Sequence, residues 1–156
     1  MIYSVRELLE RNDVKAAIQG DNLDYVYQLC VDEKFMTAVL TNKLLARNIN
    51  PLEYVSCVYE NMYYSTNIKE VTIPAHVTQI KKCAFQDCFN LDKVVIEKGL
   101  ESIGGSTFDG CTNLSELIYL GTVDEFKSQV TVQITAFMHS SVKKIVCVDG
   151  SIDVTF

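Results

Sequence analysis

Two consecutive stretches of 23 residues carry the same pattern, IKEVTIPAHVTQIKKCAFQDCFN at 68–90 and LDKVVIEKGLESIGGSTFDGCTN at 91–113. The apolar positions recur with this spacing, as do a cysteine at 88 and 111 and a closing asparagine at 90 and 113. Such a repeat is typical of solenoids, in which one supersecondary unit stacks on its copies because no unit can bury its apolar face alone. The sequence therefore predicts a stack of short repeats.

The pattern extends beyond these two copies. A degenerate half-repeat precedes them at 62–68. After them, residues 114–119 restart the pattern, but the next restart, at 142–147, comes 28 residues later, so five residues are inserted within 121–141. An insertion inside one repeat maps to a loop on one face of a stack and is often part of a binding face.

The spaced positions resemble a known repeat family. The pattern Leu/Ile-x-x-Val-x-Ile, then Val/Leu-x-x-Ile, then Ala/Thr-Phe-x-x-Cys-x-Asn-Leu is similar to that of the BspA-like, Treponema-type leucine-rich repeat. The resemblance covers about residues 60–156, and the residues before it lie outside the family pattern. Most members of this family are exported surface proteins with long arrays, whereas this chain is short and shows no export signal.

We expect an α+β fold with two domains, a helical head at 1–60 and a leucine-rich-repeat domain at 61–156. The repeat domain is predicted to be a short solenoid of about three to four repeats with a parallel strand ladder. The all-helical head would cap its N-terminal end, because repeat arrays need end units that differ from the internal ones. Asp149-Gly150 lies between two alternating runs and predicts a C-terminal β-hairpin with a type I′ turn.

Four helices are predicted in the head. The first begins after Ser4, which forms a capping box pattern with Glu7, and continues to Gly20. A second follows Asp21 or Asn22. The third and fourth are predicted from apolar residues at helical spacing, with proline just inside the start of the fourth. These residues are Phe35, Val39, Leu44 and Leu45 in the third helix, and Leu52, Val55, Val58 and Tyr59 in the fourth.

Composition and charge exclude several classes of function. The chain has 156 residues, of which 48% are hydrophobic and 22% charged, as in a folded protein with one good core. The net charge is −6, and no basic cluster exceeds Lys81-Lys82 or Lys143-Lys144, so nucleic acid is not an expected partner. No apolar run approaches the ~20 residues of a membrane span, and the start lacks a signal peptide, so we expect a cytoplasmic protein that does not bind membranes.

The sequence predicts no metal site, no disulfide, no cofactor and no catalysis. The six cysteines show no C-x-x-C spacing, and His76 and His139 stand alone, so the cysteines are interpreted as small core residues. No nucleophile–base pair and no phosphate loop is found. Gly104-Gly105-Ser106 is assigned to a turn in which glycine would adopt a left-handed backbone.

Strand alternation predicts which side chains point away from the core. Every second residue of each strand faces outward, and stacked strands align these residues in columns about 4.8 Å apart. One column alternates in charge, which would support the sheet. The other two contain an apolar patch, which usually marks a partner site unless the head or the 121–141 insertion covers it. The predicted partner-binding residues are Val95, Ile118, Leu120, Val146 and Val148.

The sequence is compatible with two functions. The first is a non-catalytic protein–protein interaction module that binds a partner protein through the repeat sheet face. The alternative is a small cytoplasmic inhibitor or adaptor, carried by a phage or mobile element, that blocks a host enzyme or defence protein. The sequence names no partner and leaves the oligomeric state open. Loss of a captured enzyme's activity would single out the inhibitor.

Overall fold

The computed structural model describes residues 4–30 and 34–154, except for the side chains of residues 34 and 35. This part of the chain contains helices in its first third, two sheets, and one further helix between strands of the repeats. No described helix is long and apolar enough to cross a membrane. The helices are α1 (Val5–Glu10), α2 (Asn12–Gln19), α3 (Leu23–Gln28), α4 (Lys34–Ala46) and α5 (Val123–Gln129), with a 3₁₀ turn at Pro51–Glu53.

The first predicted helix is two helices in the structure. Ser4 caps α1 as expected, and its side chain and Glu7 form the reciprocal hydrogen bonds of a capping box. The helix then breaks at Arg11, whose extended backbone ends α1 and precedes α2. The second predicted helix is α3, capped by the Asn22 side chain. The third is α4, in which the predicted core position Phe35 has its side chain outside the described part and Val39 is exposed.

The fourth predicted helix is wrong beyond its first turn. Only the 3₁₀ turn forms after Asn50, and Cys57–Val58 becomes strand β1. This strand pairs in parallel with Gln79–Ile80, so backbone partners from the next repeat override a helical spacing that was local. Val55, Val58 and Tyr59 are buried, as expected of core positions, but they do not lie on a helix.

Strands form two open sheets, and the predicted mixture of helices and parallel strands is confirmed. The long-strand sheet has four parallel strands and a last antiparallel one, in the order β2 (Glu70–Ile73), β4 (Lys93–Ile96), β6 (Glu116–Tyr119), β8 (Lys144–Cys147), β9 (Gly150–Asp153). The short-strand sheet is parallel throughout, in the order β1, β3 (Gln79–Ile80), β5 (Ser102–Ile103), β7 (Thr131–Val132).

The core of the repeats contains an aromatic stack. Phe85 and Phe108 occupy equivalent positions, are fully buried, and lie parallel with ring centroids 5.5 Å apart. Tyr63 continues the stack on one side and Phe137 on the other, at 5.0 and 5.7 Å. The predicted inward register of Phe85 and Phe108 is therefore confirmed, and one aromatic ring per repeat ties successive units together.

The head is joined to the first repeat by polar and aromatic contacts. The carboxylate of Asp24 in α3 accepts hydrogen bonds from the Ser56 backbone N–H and from the Tyr59 hydroxyl, at 3.0 and 2.6 Å. The ring of Tyr59 also stacks on that of Tyr27, with centroids 5.5 Å apart. Buried residues of the helices and of the repeats belong to one continuous hydrophobic core.

The C-terminal hairpin forms, but its turn differs from the prediction. Cys147 pairs with Gly150, so the two turn residues are Val148 and Asp149 rather than Asp149 and Gly150. Neither has the positive φ that a type I′ turn requires. The Asp149 carboxylate instead accepts a hydrogen bond from the backbone N–H of Val123, at 2.9 Å, which fixes the turn against the start of α5.

The glycine assignment in the 104–106 turn is also wrong. The left-handed residue there is Ser106, at φ 54°, and the equivalent Cys83 in the preceding repeat has φ 58°. Gly104 is required for a different reason, because a Cβ atom at this position would lie 2.6 Å from the backbone nitrogen of Lys82. The repeats approach each other too closely here for any side chain.

Candidate protein-interaction surface

The outward face of the long-strand sheet brings three predicted site residues side by side. Val95 pairs with Ile118, and Ile118 pairs with Val146, in parallel register across β4, β6 and β8. All three are half-buried, while the residues on either side of Ile118, Leu117 and Tyr119, are buried in the core. The alternation of the strands therefore forms an apolar row on the outside of the sheet.

The two other predicted residues extend this row beyond the strand ends. Leu120 directly follows β6, and its backbone N–H donates to the carbonyl of Ile96. Val148 follows β8 in the hairpin turn, and its N–H donates to the carbonyl of Gly121. Their side chains are 45% and 67% exposed. We refer to Val95, Ile118, Leu120, Val146 and Val148 together as the apolar patch.

The segment that contains the five-residue insertion forms a helix, α5. Thr122 caps α5 through a capping box with Glu125, and Phe126 packs edge-on against the buried ring of Tyr119, at 5.1 Å between centroids. Because Tyr119 points inward from β6, this contact pulls α5 toward the core side of the sheet. The sequence left open that the insertion covers the apolar patch. None of the patch residues is buried, so the insertion does not cover the patch completely.

Charged side chains border the patch along one end of the strands. Glu70 pairs with Lys93, Glu116 with Lys144, and Lys144 with Asp153 of β9. All five are exposed, and the sign alternates from each strand to the next. Among the residues that the structure describes, no ion pair within 4 Å joins two members of this column. Exposed pairs of this kind contribute little to stability, so the column is read as a polar border of the patch.

The buried cysteines are structural rather than reactive. Cys88 and Cys111 donate from their thiols to the carbonyls of Tyr63 and Phe85, one repeat away. Burial raises the pKa of Cys88 to about 11 and that of Cys111 to about 12, so both thiols stay protonated at neutral pH. No cluster of three or more metal-ligating side chains occurs in the described ranges.

The structure exposes large apolar residues that the sequence analysis did not select. Phe89 is 54% exposed and Ile134 is 90% exposed. Ile134 lies at the last repeat, beside a groove of about 270 Å³ that includes Val132 and Phe137. The five-residue insertion was the sequence signal for this region, but it changes the repeat spacing, so Ile134 was not assigned to the repeat position that Gly105 and Lys82 hold in the preceding units.

Comparison with known proteins confirms the resemblance seen in the repeats. The family model described as BspA type leucine rich repeat region (6 copies) matches residues 41–143 of the chain. The match begins inside the segment predicted as a separate head and includes β1. No curated protein and no solved structure matches the chain. The chain belongs to the BspA-type leucine-rich repeat family.

Proposed function

We propose that this protein is a non-catalytic module that binds a partner protein through the apolar patch. Membership of a leucine-rich repeat family supports a role in protein–protein interaction. The observation that carries the proposal is the register of Val95, Ile118 and Val146 on the outside of the long-strand sheet. A contiguous apolar row with a charged border has the layout of an interface, in which an apolar centre is desolvated and a polar rim surrounds it.

The proposed architecture is a short solenoid with a helical cap at its N-terminal end. Two observations support it: successive repeats pair in register in both sheets, and their aromatic rings form one stack. A rigid backbone of this kind binds without reordering itself, which lowers the entropic cost of association. The outward row on β4, β6 and β8 would therefore meet the partner in the conformation it already has.

The test is a charge placed at the centre of the patch. Ile118→Asp should weaken binding to a partner captured from the native cell or its host by at least ~2 kcal/mol, because a carboxylate would be buried in the interface without a counter-charge. Ile134→Asp is the matched control, since Ile134 is 90% exposed and lies outside the patch.

Affinity is measured by calorimetry, and folding by circular dichroism and thermal melting. The proposal predicts that both variants fold and that only Ile118→Asp loses affinity. Unchanged binding of a folded Ile118→Asp protein would exclude the patch as the interface centre. Loss of folding in this variant would show that the face is already covered within the chain.

The narrower form of the proposal is a small cytoplasmic inhibitor or adaptor that blocks a host enzyme or defence protein. The short array motivates it, because the apolar row extends over only three parallel strands. An activity assay of a captured enzyme, with wild type and with Ile118→Asp, separates inhibition from simple scaffolding. Inhibition by the wild-type chain alone would support the inhibitor.

A further inference from the structure

The two ends of the long-strand sheet are closed differently. At the C-terminal end, β9 turns back and pairs with β8 over four residues. At the other end, β2 pairs with β4 on one side and with no described strand on the other. An unpaired strand edge is a template for another strand, and proteins normally cover or blunt it.

The backbone of β2 offers unused hydrogen-bonding groups along this edge. The carbonyls of Lys69 and Ile73 accept from the N–H groups of Asp92 and Glu97, so these residues face β4. Backbone groups of alternate residues point to opposite sides of a strand, which directs the N–H and C=O of Glu70 and Thr72 away from β4. In the described ranges no strand pairs with this side of β2, and no backbone hydrogen bond from a turn or loop reaches these groups.

The 23-residue spacing predicts one more strand beside β2, but the residues at that position do not form a strand. Residues 47–50 stand 23 positions before β2, but they form the turn after α4. Asn48 adopts a left-handed backbone at φ 59°, and the N–H of Ile49 donates back to the carbonyl of Leu44. The family match begins at residue 41 and includes this segment, but Asn48 and Asn50 stand at the positions equivalent to Val71 and Ile73, and no strand forms there.

A groove lies where the missing strand would be. It has a volume of about 280 Å³ and runs between the end of α4 and the edge of β2. Apolar side chains form most of its wall, and polar groups border it. The lining residues are Leu45, Asn50, Tyr63, Ile68, Glu70, Val71 and Thr72.

The charged column specifies the side chain that an added strand should bring. Its signs alternate from Asp153 through Lys144, Glu116 and Lys93 to Glu70, so every member except Glu70 and Asp153 has an opposite charge on both neighbouring strands. A lysine or arginine opposite Glu70 would continue the alternation, since opposite charges on paired strands are favourable and like charges are not. The neighbouring position, opposite Val71, would face the apolar groove.

We propose that the free edge of β2, with the groove beside it, binds an extended segment of a partner protein as an added strand, with a basic residue opposite Glu70. The main chain of the segment would pair with the N–H and C=O groups of Glu70 and Thr72. Side chains beside the basic residue would fill the groove. This is strand addition, in which backbone hydrogen bonds supply affinity and alternate side chains supply specificity. The surface differs from the apolar patch and does not depend on the proposed role of that patch.

The probe is an acetylated and amidated peptide, Ser-Lys-Val-Val-Ile-Ser, whose core is the sequence of β4, the strand that already pairs with β2. A second peptide carries glutamate in place of lysine. Each is titrated into the full chain labelled with ¹⁵N, and amide shifts are followed. The lysine peptide should move the resonances of Glu70 and Thr72, and the glutamate peptide should bind at least about threefold more weakly.

Two variants with a matched control test the assignment. Thr72→Pro removes one outward N–H that β4 does not use, and should weaken the lysine peptide roughly two- to tenfold. Glu70→Gln should abolish the preference between the two peptides while the chain stays folded. Glu116→Gln neutralises the same column two strands further in, beyond the screening length from the added strand, and should leave the preference unchanged.

Several outcomes would overturn the proposal. One is that neither peptide shifts the Glu70 and Thr72 resonances at millimolar concentration. Another is that the shifts appear at Ile118 and Val146 instead. A third is that the wild-type chain sediments as a dimer that Thr72→Pro dissociates, because a second copy would then occupy the edge. Ile118→Asp should not change peptide binding, so failure at β2 and failure at the apolar patch are separate results.

Discussion

The outward rows of the two sheets differ in polarity, although the strands of both sheets pair in the same parallel register. On the long-strand sheet the central outward row is Val95, Ile118 and Val146. On the short-strand sheet the outward row contains Gln79, Ser102 and Thr131, which pair in the same parallel manner. The repeat aligns the residues of both rows equally well, so alignment does not decide which row binds a partner. The two rows differ in polarity. The apolar row is the one that gains from burial by a partner, because removing it from water is favourable and removing the polar row is not.

The largest expected effect concerns what both faces share, the aromatic stack between them. Phe108 is fully buried and its ring contacts those of Phe85 and Phe137. Phe108→Ala should lower the free energy of unfolding by about 3–5 kcal/mol, through lost burial and the cavity left behind. Phe89→Ala is the matched control, since Phe89 is 54% exposed, and it should cost much less. Equal melting of Phe108→Ala and wild type would show that the stack does not hold the faces together.

A second effect tests the shared core through its buried thiols. The pKa of Cys111 is raised to about 12, and those of Cys30 and Cys88 to about 11, in each case mainly because burial disfavours the thiolate. Unfolded thiols titrate near 8.5, so above that pH the unfolded chain loses protons that the folded chain keeps. Stability should therefore fall as the pH rises from about 9 to 11, by up to ~1.4 kcal/mol per pH unit for each such thiol.

The check is a series of urea unfolding curves across this pH window. Tyr27, fully buried, also has a raised pKa because of desolvation, and it contributes a fall of the same sign at higher pH. Replacing one thiol removes its contribution to the pH dependence. The free energy of unfolding of Cys111→Ala should therefore fall less steeply with pH than that of wild type. Parallel pH dependence of the two proteins would mean that Cys111 is accessible to solvent in the folded state.

The smallest expected effect is on the polar face. Gln79→Asp adds one exposed negative charge to the short-strand sheet, and we expect stability within about 0.5 kcal/mol of wild type. Partner affinity should change less than twofold, because the substitution lies on the short-strand sheet and outside the apolar patch. Calorimetry of partner binding by Gln79→Asp and by Ile118→Asp compares the two affinities directly. A loss of affinity for Gln79→Asp as large as that for Ile118→Asp would remove the distinction between the two faces.

The periodic part of the sequence predicted the most. Ile118 could be assigned to the outside of β6 and Phe108 to the core because each position recurs in other copies, which fixes its direction several times over. Family membership followed from the same recurrence. The free edge at β2 was not predicted, since it depends on how the chain leaves α4 at Asn48, a local turn with no counterpart in the repeats.

Two of the wrong predictions have causes that lie far apart in the chain. Cys57 and Val58 carried a helical spacing, and only pairing with β3 makes them a strand. The hairpin turn lies one residue earlier than predicted. The Asp149 carboxylate in this turn accepts a hydrogen bond from the backbone N–H of Val123, 26 residues away. A single sequence contains no record of such contacts. The break at Arg11 differs, because the spacing does mark it: on one continuous helix Val14, Ala17 and Ile18 would face the side opposite to Val5, Leu8 and Leu9.

The most direct test of the central claim is hydroxyl-radical footprinting of the chain with and without a captured partner. Side-chain oxidation reports exposure residue by residue, and Leu120 and Val148 are open to solvent in the free chain. The account predicts that oxidation of Leu120, Val148 and Ile118 falls in the complex, while that of Ile134 stays the same. Protection of Ile134 with unchanged oxidation of Leu120 and Val148 would contradict the assignment of the partner to the apolar patch.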